Sequence, residues 1–90
     1  MRKKYHKKNY AEETYHNIYE LYQKGKYIKA KKYLFEYLEK YPYSIDAKSL
    51  LSRILIMLQE YDEAEKLLKY SMRKYPQHIV FIHELLVLYM

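Results

Sequence analysis

His83-Glu84 comes nearest to a reactive motif in this chain. A zinc-binding His-Glu-x-x-His helix opens in this way, with two histidines four residues apart gripping the metal and the glutamate moving a proton. The second histidine would fall at Val87, so no ligand set follows. His16 stands near Glu12, Glu13 and Glu20, a spacing that on an exposed helix makes a solvated charge cluster rather than an acid–base pair. The chain has no cysteine, hence neither a thiolate nucleophile nor a disulfide framework, which agrees with a reducing, cytoplasmic compartment. Ser44, Ser49, Ser52 and Ser71 have no base placed to activate them, and one glycine in the whole chain excludes a glycine-rich phosphate loop. No enzyme, cofactor, metal centre or small-molecule substrate is expected.

What remains is charge and apolar surface. The formal net charge is +6, and Arg2, Lys3, Lys4, Lys7 and Lys8 supply five of those charges before the first acidic residue. Residues 1–9 lack apolar periodicity and are expected to form a flexible basic arm. Such an arm could hold nucleic acid or an anionic membrane surface through counterion release, with the rest of the chain serving only as a dimerisation module. No recognition-helix pattern, RNA-binding aromatic motif or zinc-ligand spacing accompanies it. Fourteen tyrosines suggest base stacking at first sight. They equally suit half-buried helix faces, with the ring inside and the hydroxyl at the edge.

The elements that must position these groups are helical. One Gly, two Pro and a half-hydrophobic composition fit helices joined by short loops. Helical spacing of Tyr15, Ile18, Leu21 and Tyr22 predicts a first helix from about Tyr10 to Lys24, broken at Gly25. A second, from about Tyr27 to Lys40, is stopped by Pro42. Ser44 is expected to cap a third, near Ile45 to Leu58, that is apolar on more than one side. The fourth runs from about Tyr61 to Tyr75, acidic at its start and basic at its end as the helix dipole favours, and Pro76 closes it. The fifth, from about Gln77, is apolar almost all round. No stretch reaches the roughly 20 apolar residues that span a bilayer.

One long period organises these helices. Tyr27-x-x-Ala30-x-x-x-Leu34, running on to Tyr41-Pro42, recurs as Tyr61-x-x-Ala64-x-x-x-Leu68, running on to Tyr75-Pro76, with every pair 34 residues apart. Leu21/Leu55, Lys32/Lys66 and Lys40/Lys74 keep the same register. The two alanines, with nothing beyond Cβ, let neighbouring helices approach closely.

These residues resemble the tetratricopeptide repeat, whose helix-turn-helix unit has the same length and a W-x2-L-G-x2-Y, A-x3-F, P pattern. The copies are about 11–44 and 45–78, with 79–90 as the first helix of an unfinished third, in a helical domain of residues 10–90. In the second copy Leu51-Ser52-x-x-Leu55 occupies the L-G-x-x-Y run. In the first, Asn17 and Ile18 replace the Leu-Gly pair and Tyr37 stands where Ala is usual, so helices one and two are expected to pack less closely. Thr14 and Lys48 replace the Trp.

The resemblance implies an all-α, right-handed α-solenoid of antiparallel helix pairs, here five helices, that binds a protein or peptide in a concave groove. It puts Tyr15, His16, Tyr19, Tyr22 and Gln23 of helix one and Ser49, Leu50, Arg53, Ile56 and Met57 of helix three on that groove. Tyr15, Tyr19 and Leu50 occupy places where some members clamp a terminal carboxylate with Lys and Asn, which argues against that ligand. Such arrays normally end in a helix with a polar outer face. Helix five has none, so either the chain is a fragment of a longer array or helix five is covered by a partner, most simply a second copy in a homodimer through Phe81, Leu85 and Leu88.

Overall fold

The computed structural model describes the backbone from Lys3 to Met90 and the side chains from Ala11 onward. Its elements are five α-helices in chain order: α1 Lys3–Gln23, α2 Tyr27–Lys40, α3 Ile45–Met57, α4 Tyr61–Lys74 and α5 Val80–Tyr89. The expected all-α architecture is present, and α2 to α4 begin where the sequence pattern puts them. The first helix differs. It starts at Lys3 rather than Tyr10, for the physical reason that no Gly or Pro precedes Gly25 to interrupt a helix. The side chains of Arg2, Lys3, Lys4, Lys7 and Lys8 lie outside the described residues.

Two helix ends show how closely the repeats copy one another. After α1 the Lys26 N–H donates to the Leu21 carbonyl at 2.9 Å and the Gly25 N–H to the Tyr22 carbonyl at 3.0 Å, with Gly25 at φ 80°. This paired closure requires a left-handed residue just past the helix, the conformation glycine adopts without steric cost. After α3 the Glu60 N–H donates to Leu55 at 2.8 Å and the Gln59 N–H to Ile56 at 2.9 Å. Here the left-handed position is Gln59, at φ 63°. The second repeat therefore holds a side-chain-bearing residue in a conformation that the first repeat gives to glycine. Ser44 caps α3 as expected, its hydroxyl accepting from the Ala47 N–H at 3.1 Å.

Consecutive helices pack as antiparallel neighbours. α1 also meets α3, and α3 meets α5, whereas α2 and α4 make no contact with each other. The odd-numbered helices are thus the more closely spaced row, and the stack is concave on their side. At its centre Ala30, Leu34, Ala64 and Leu68 are completely buried, joined by Ile18, Ala47, Leu50, Leu51, Ile54 and Leu55. Lys48, in the place of the family's Trp, is also buried. It donates to the Pro42 carbonyl and lies 5.7 Å from the centre of the Tyr75 ring, while burial, and after it Lys74, depresses its pKa. Between α1 and α2 a cleft of about 290 Å³ opens, lined in part by Ile18, Leu21, Tyr33, Tyr37 and Tyr41. It runs along the seam where Ile18 and Tyr37 replace small residues.

Replacing Gln59 by Gly removes the left-handed strain and should stabilise the chain by about 1 kcal/mol, raising the melting temperature by about 4–8 °C. A midpoint that stays put or falls, measured by circular dichroism, would show that the strain is absent.

Candidate protein-binding groove

The concave row brings the residues expected on the groove into one neighbourhood, at different depths. Tyr15, Tyr19 and Tyr22 of α1 are half-buried, and His16 and Gln23 are exposed beside them. On α3, Arg53 and Ile56 are half-buried and Met57 is exposed. Two expectations are corrected. Leu50 and Ser49 retain only 2% and 8% of their surface, because α3 is flanked on this side by both α1 and α5. They belong to the packed interior and present almost nothing to a partner. Phe81, expected at a self-association surface, is fully buried with its ring 6.3 Å from that of Tyr75. It belongs to the interior. Leu85 and Leu88 are half-buried, Leu88 against the core.

The tyrosines pack on one another, Tyr15 and Tyr19 stacked and the other pairs tilted. Ring centroids run Tyr41 to Tyr37 at 4.7 Å, Tyr37 to Tyr15 at 5.9 Å and Tyr15 to Tyr19 at 6.4 Å. The row continues from Tyr19 to Tyr22 at 5.7 Å and Tyr22 to Tyr27 at 5.8 Å. Six rings thus tie α1 to α2, and each contact adds about 0.5–1.5 kcal/mol beyond its burial. The Tyr15 hydroxyl donates to the Asp46 backbone carbonyl at 3.3 Å. Burial first, then the Asp46 carboxylate, pushes the Tyr15 pKa up to about 12. The neutral phenol is therefore the form the fold favours, and the stability it contributes is present below pH 10 and lost as pH rises through 12.

The most informative contact was not foreseen in the sequence. Glu84 of α5 is 3% exposed and accepts a hydrogen bond at 2.7 Å from Nε of Arg53, whose side chain is 42% exposed. This bond, ahead of the opposing cost of burial, raises the Arg53 pKa. One guanidinium thus neutralises a carboxylate sealed between α3 and α5 and keeps part of its own surface in the groove. The available signal was a lone acid in an otherwise apolar helix, since a buried carboxylate requires a cationic partner. Glu84 of the His83-Glu84 pair is therefore half of an interhelical ion pair. His16 pairs with Glu20 at 3.2 Å, both well exposed, as a solvated cluster would. No three His, Asp or Glu side chains gather as metal ligands among the described residues.

A helical repeat scaffold is the class that this fold and concave surface define. A family model described as tetratricopeptide repeat matches residues 21–81, more than half of the chain, and the protein belongs to that family. Comparison with curated proteins and with solved structures found no match. Tetratricopeptide repeats mediate protein–protein interaction and are scaffolds rather than catalytic units. No helix among the described residues is long and apolar enough to cross a membrane.

The burial asymmetry of the ion pair predicts unequal losses. Arg53→Met strands a buried carboxylate and should cost about 3 kcal/mol. Glu84→Gln leaves a cation that water can reach and should cost about 1 kcal/mol. Urea denaturation of the two variants checks this, and equal losses would contradict the assignment.

Proposed function

We propose that this protein binds a helix or an extended peptide segment of another protein across the concave face of α1 and α3. The observation that carries the reading is the composition of that face. Tyr15, Tyr19 and Tyr22 offer half-buried rings held rigid by packing on one another, Ile56 and Met57 offer aliphatic surface, and Arg53 stands among them with its charge already matched by Glu84. Rigid aromatic anchors lose little conformational entropy on binding, which is why tyrosine and arginine dominate interface energetics. A cation already neutralised within the fold does not demand an acidic partner, so the favoured ligand is an amphipathic segment with two or three apolar anchors. His16 and Gln23, exposed at the edge, serve as the polar rim.

The test uses peptides selected from a random displayed library on the intact chain. Ligands should emerge whose affinity falls at least about tenfold on Tyr19→Ala or Ile56→Ala, the loss that corresponds to ~1.4 kcal/mol at an anchor. Selected peptides whose amide-shift footprint maps to the outer faces of α2 and α4, and whose binding both variants leave intact, would refute the proposal.

A further inference from the structure

The polar groups on the concave face of α1 and α3 are unevenly spent. The Tyr15 hydroxyl donates to the Asp46 carbonyl, whereas the Tyr19 and Tyr22 hydroxyls make no hydrogen bond among the described residues. Arg53 stands beside these rings, its pKa raised first by the Glu84 bond and further by Tyr22 and Tyr19. Its Nε is committed to Glu84 at 2.7 Å. A guanidinium carries further donors on its two Nη atoms, in one planar fork, and those of Arg53 make no hydrogen bond among the described residues. With 42% of the side chain exposed, they remain within reach of a ligand.

Taken together, these unspent groups are neutral and of both kinds. The Nη groups donate, a phenol hydroxyl donates and accepts, and the guanidinium charge is cancelled by the buried Glu84 carboxylate. A ligand that covers the face without answering them leaves each group dry at its full desolvation cost. A helix laid there answers none of them along its middle, because its N–H and C=O groups are bonded along its own axis. An extended segment offers an unpaired N–H and C=O at every residue, and its alternate side chains fall on one face. An acidic ligand is disfavoured. Asp46, second only to burial in raising the Tyr15 pKa, already sets a carboxylate beside these rings.

The repeat register gives such a segment its path. Tyr19 and Tyr22 of α1 each precede their α3 counterparts, Arg53 and Ile56, by 34 residues, so the two pairs occupy matching places on neighbouring helices. Packed helices lie about 8–10 Å apart, and extended chain rises about 3.3 Å per residue. Roughly three residues therefore carry a ligand from one row to the other. We infer that the partner segment is bound in an extended conformation, with one of its backbone carbonyls accepting from the Arg53 Nη donors and its apolar side chains on Tyr22 and Ile56. The inference rests on the groove proposed above and chooses between the two ligand forms, helix and extended chain, that were open there. Arg53 is then a specificity-determining residue as well as the partner of Glu84.

The probes are peptides selected on the intact chain, acetylated and amidated so that no terminal charge takes part. Their amide bonds are replaced one at a time by an alkene isostere, which keeps the extended shape and removes the carbonyl. One such replacement should weaken binding to the wild type at least about tenfold by calorimetry, and binding to an Arg53→Met/Glu84→Met double variant by less than about twofold. The double variant exchanges both members of the ion pair for apolar side chains, which strands no buried charge, and its helical circular dichroism should match that of the wild type. On the wild type alone, α-aminoisobutyrate placed between the peptide's apolar anchors, which imposes helical dihedrals, should also cost at least about tenfold. This second measurement decides the matter should the double variant fail to fold. Equal or tighter binding of the helix-locked peptide, or an isostere scan in which no position distinguishes the two proteins, overturns the inference, while sensitivity to Tyr19→Ala would still uphold the groove. Peptides indifferent to both Tyr19→Ala and Ile56→Ala overturn the groove itself and the inference with it.

Discussion

Everything in this stack depends on how closely helix backbones approach at Ala30 and Ala64. Both are completely buried, as are Leu34 and Leu68 one turn further on. An alanine at such a crossing gives up no side-chain entropy and permits the shorter interaxial distances. The following leucine fills the space that the approach leaves. With this arrangement made twice at a fixed interval, α1, α3 and α5 fall into one row and the concave face is a consequence of the spacing. The groove is not constructed separately. It is the inner side of a curve set by two small residues and their leucines.

Onto that frame the chain places polar interactions that cross between repeats. Lys31 of α2 meets Glu60, before α4, at 2.6 Å, and Arg53 of α3 meets Glu84 of α5. The two differ in what they protect. Lys31 and Glu60 are both partly solvated, at 24% and 38% exposure, and an exposed pair adds at most about 1 kcal/mol. Glu84 would be an uncompensated buried charge without Arg53, so its contact fixes how α5 lies on α3. Arg53, on the concave row, thus makes the contact that orients the terminal helix, which couples that face to the packing of the last repeat.

Much of this was legible in the sequence, for reasons that separate what pattern reveals from what it does not. Gly25, Ser44 and the Tyr-Pro pairs act through local backbone rules, and each marks the boundary or cap expected of it. The alanine-leucine register acts through a period that depends only on the chain, and it led to the right architecture. Depth was harder to judge. Periodicity places Leu50 and Phe81 on a face, but whether that face meets water depends on which helices flank it, and α1 and α5 close over α3 from both sides. Gln59 in a left-handed conformation was hidden because only glycine advertises that geometry, although Gly25 one repeat earlier pointed to it. Glu84 was concealed by its neighbour, since beside His83 it suggested metal chemistry while its real partner lay on another helix.

Close packing at the alanines is tested most directly by thermal unfolding of Ala64→Phe followed by circular dichroism. A phenyl ring in a fully buried crossing must push α4 from its neighbours, and overpacking of this kind costs on the order of 1–3 kcal/mol. The midpoint should fall at least several degrees below that of the wild type. An unchanged midpoint would contradict it, because Ala64 would then have room beside it and the shared register of the two repeats would not be what holds the helices together.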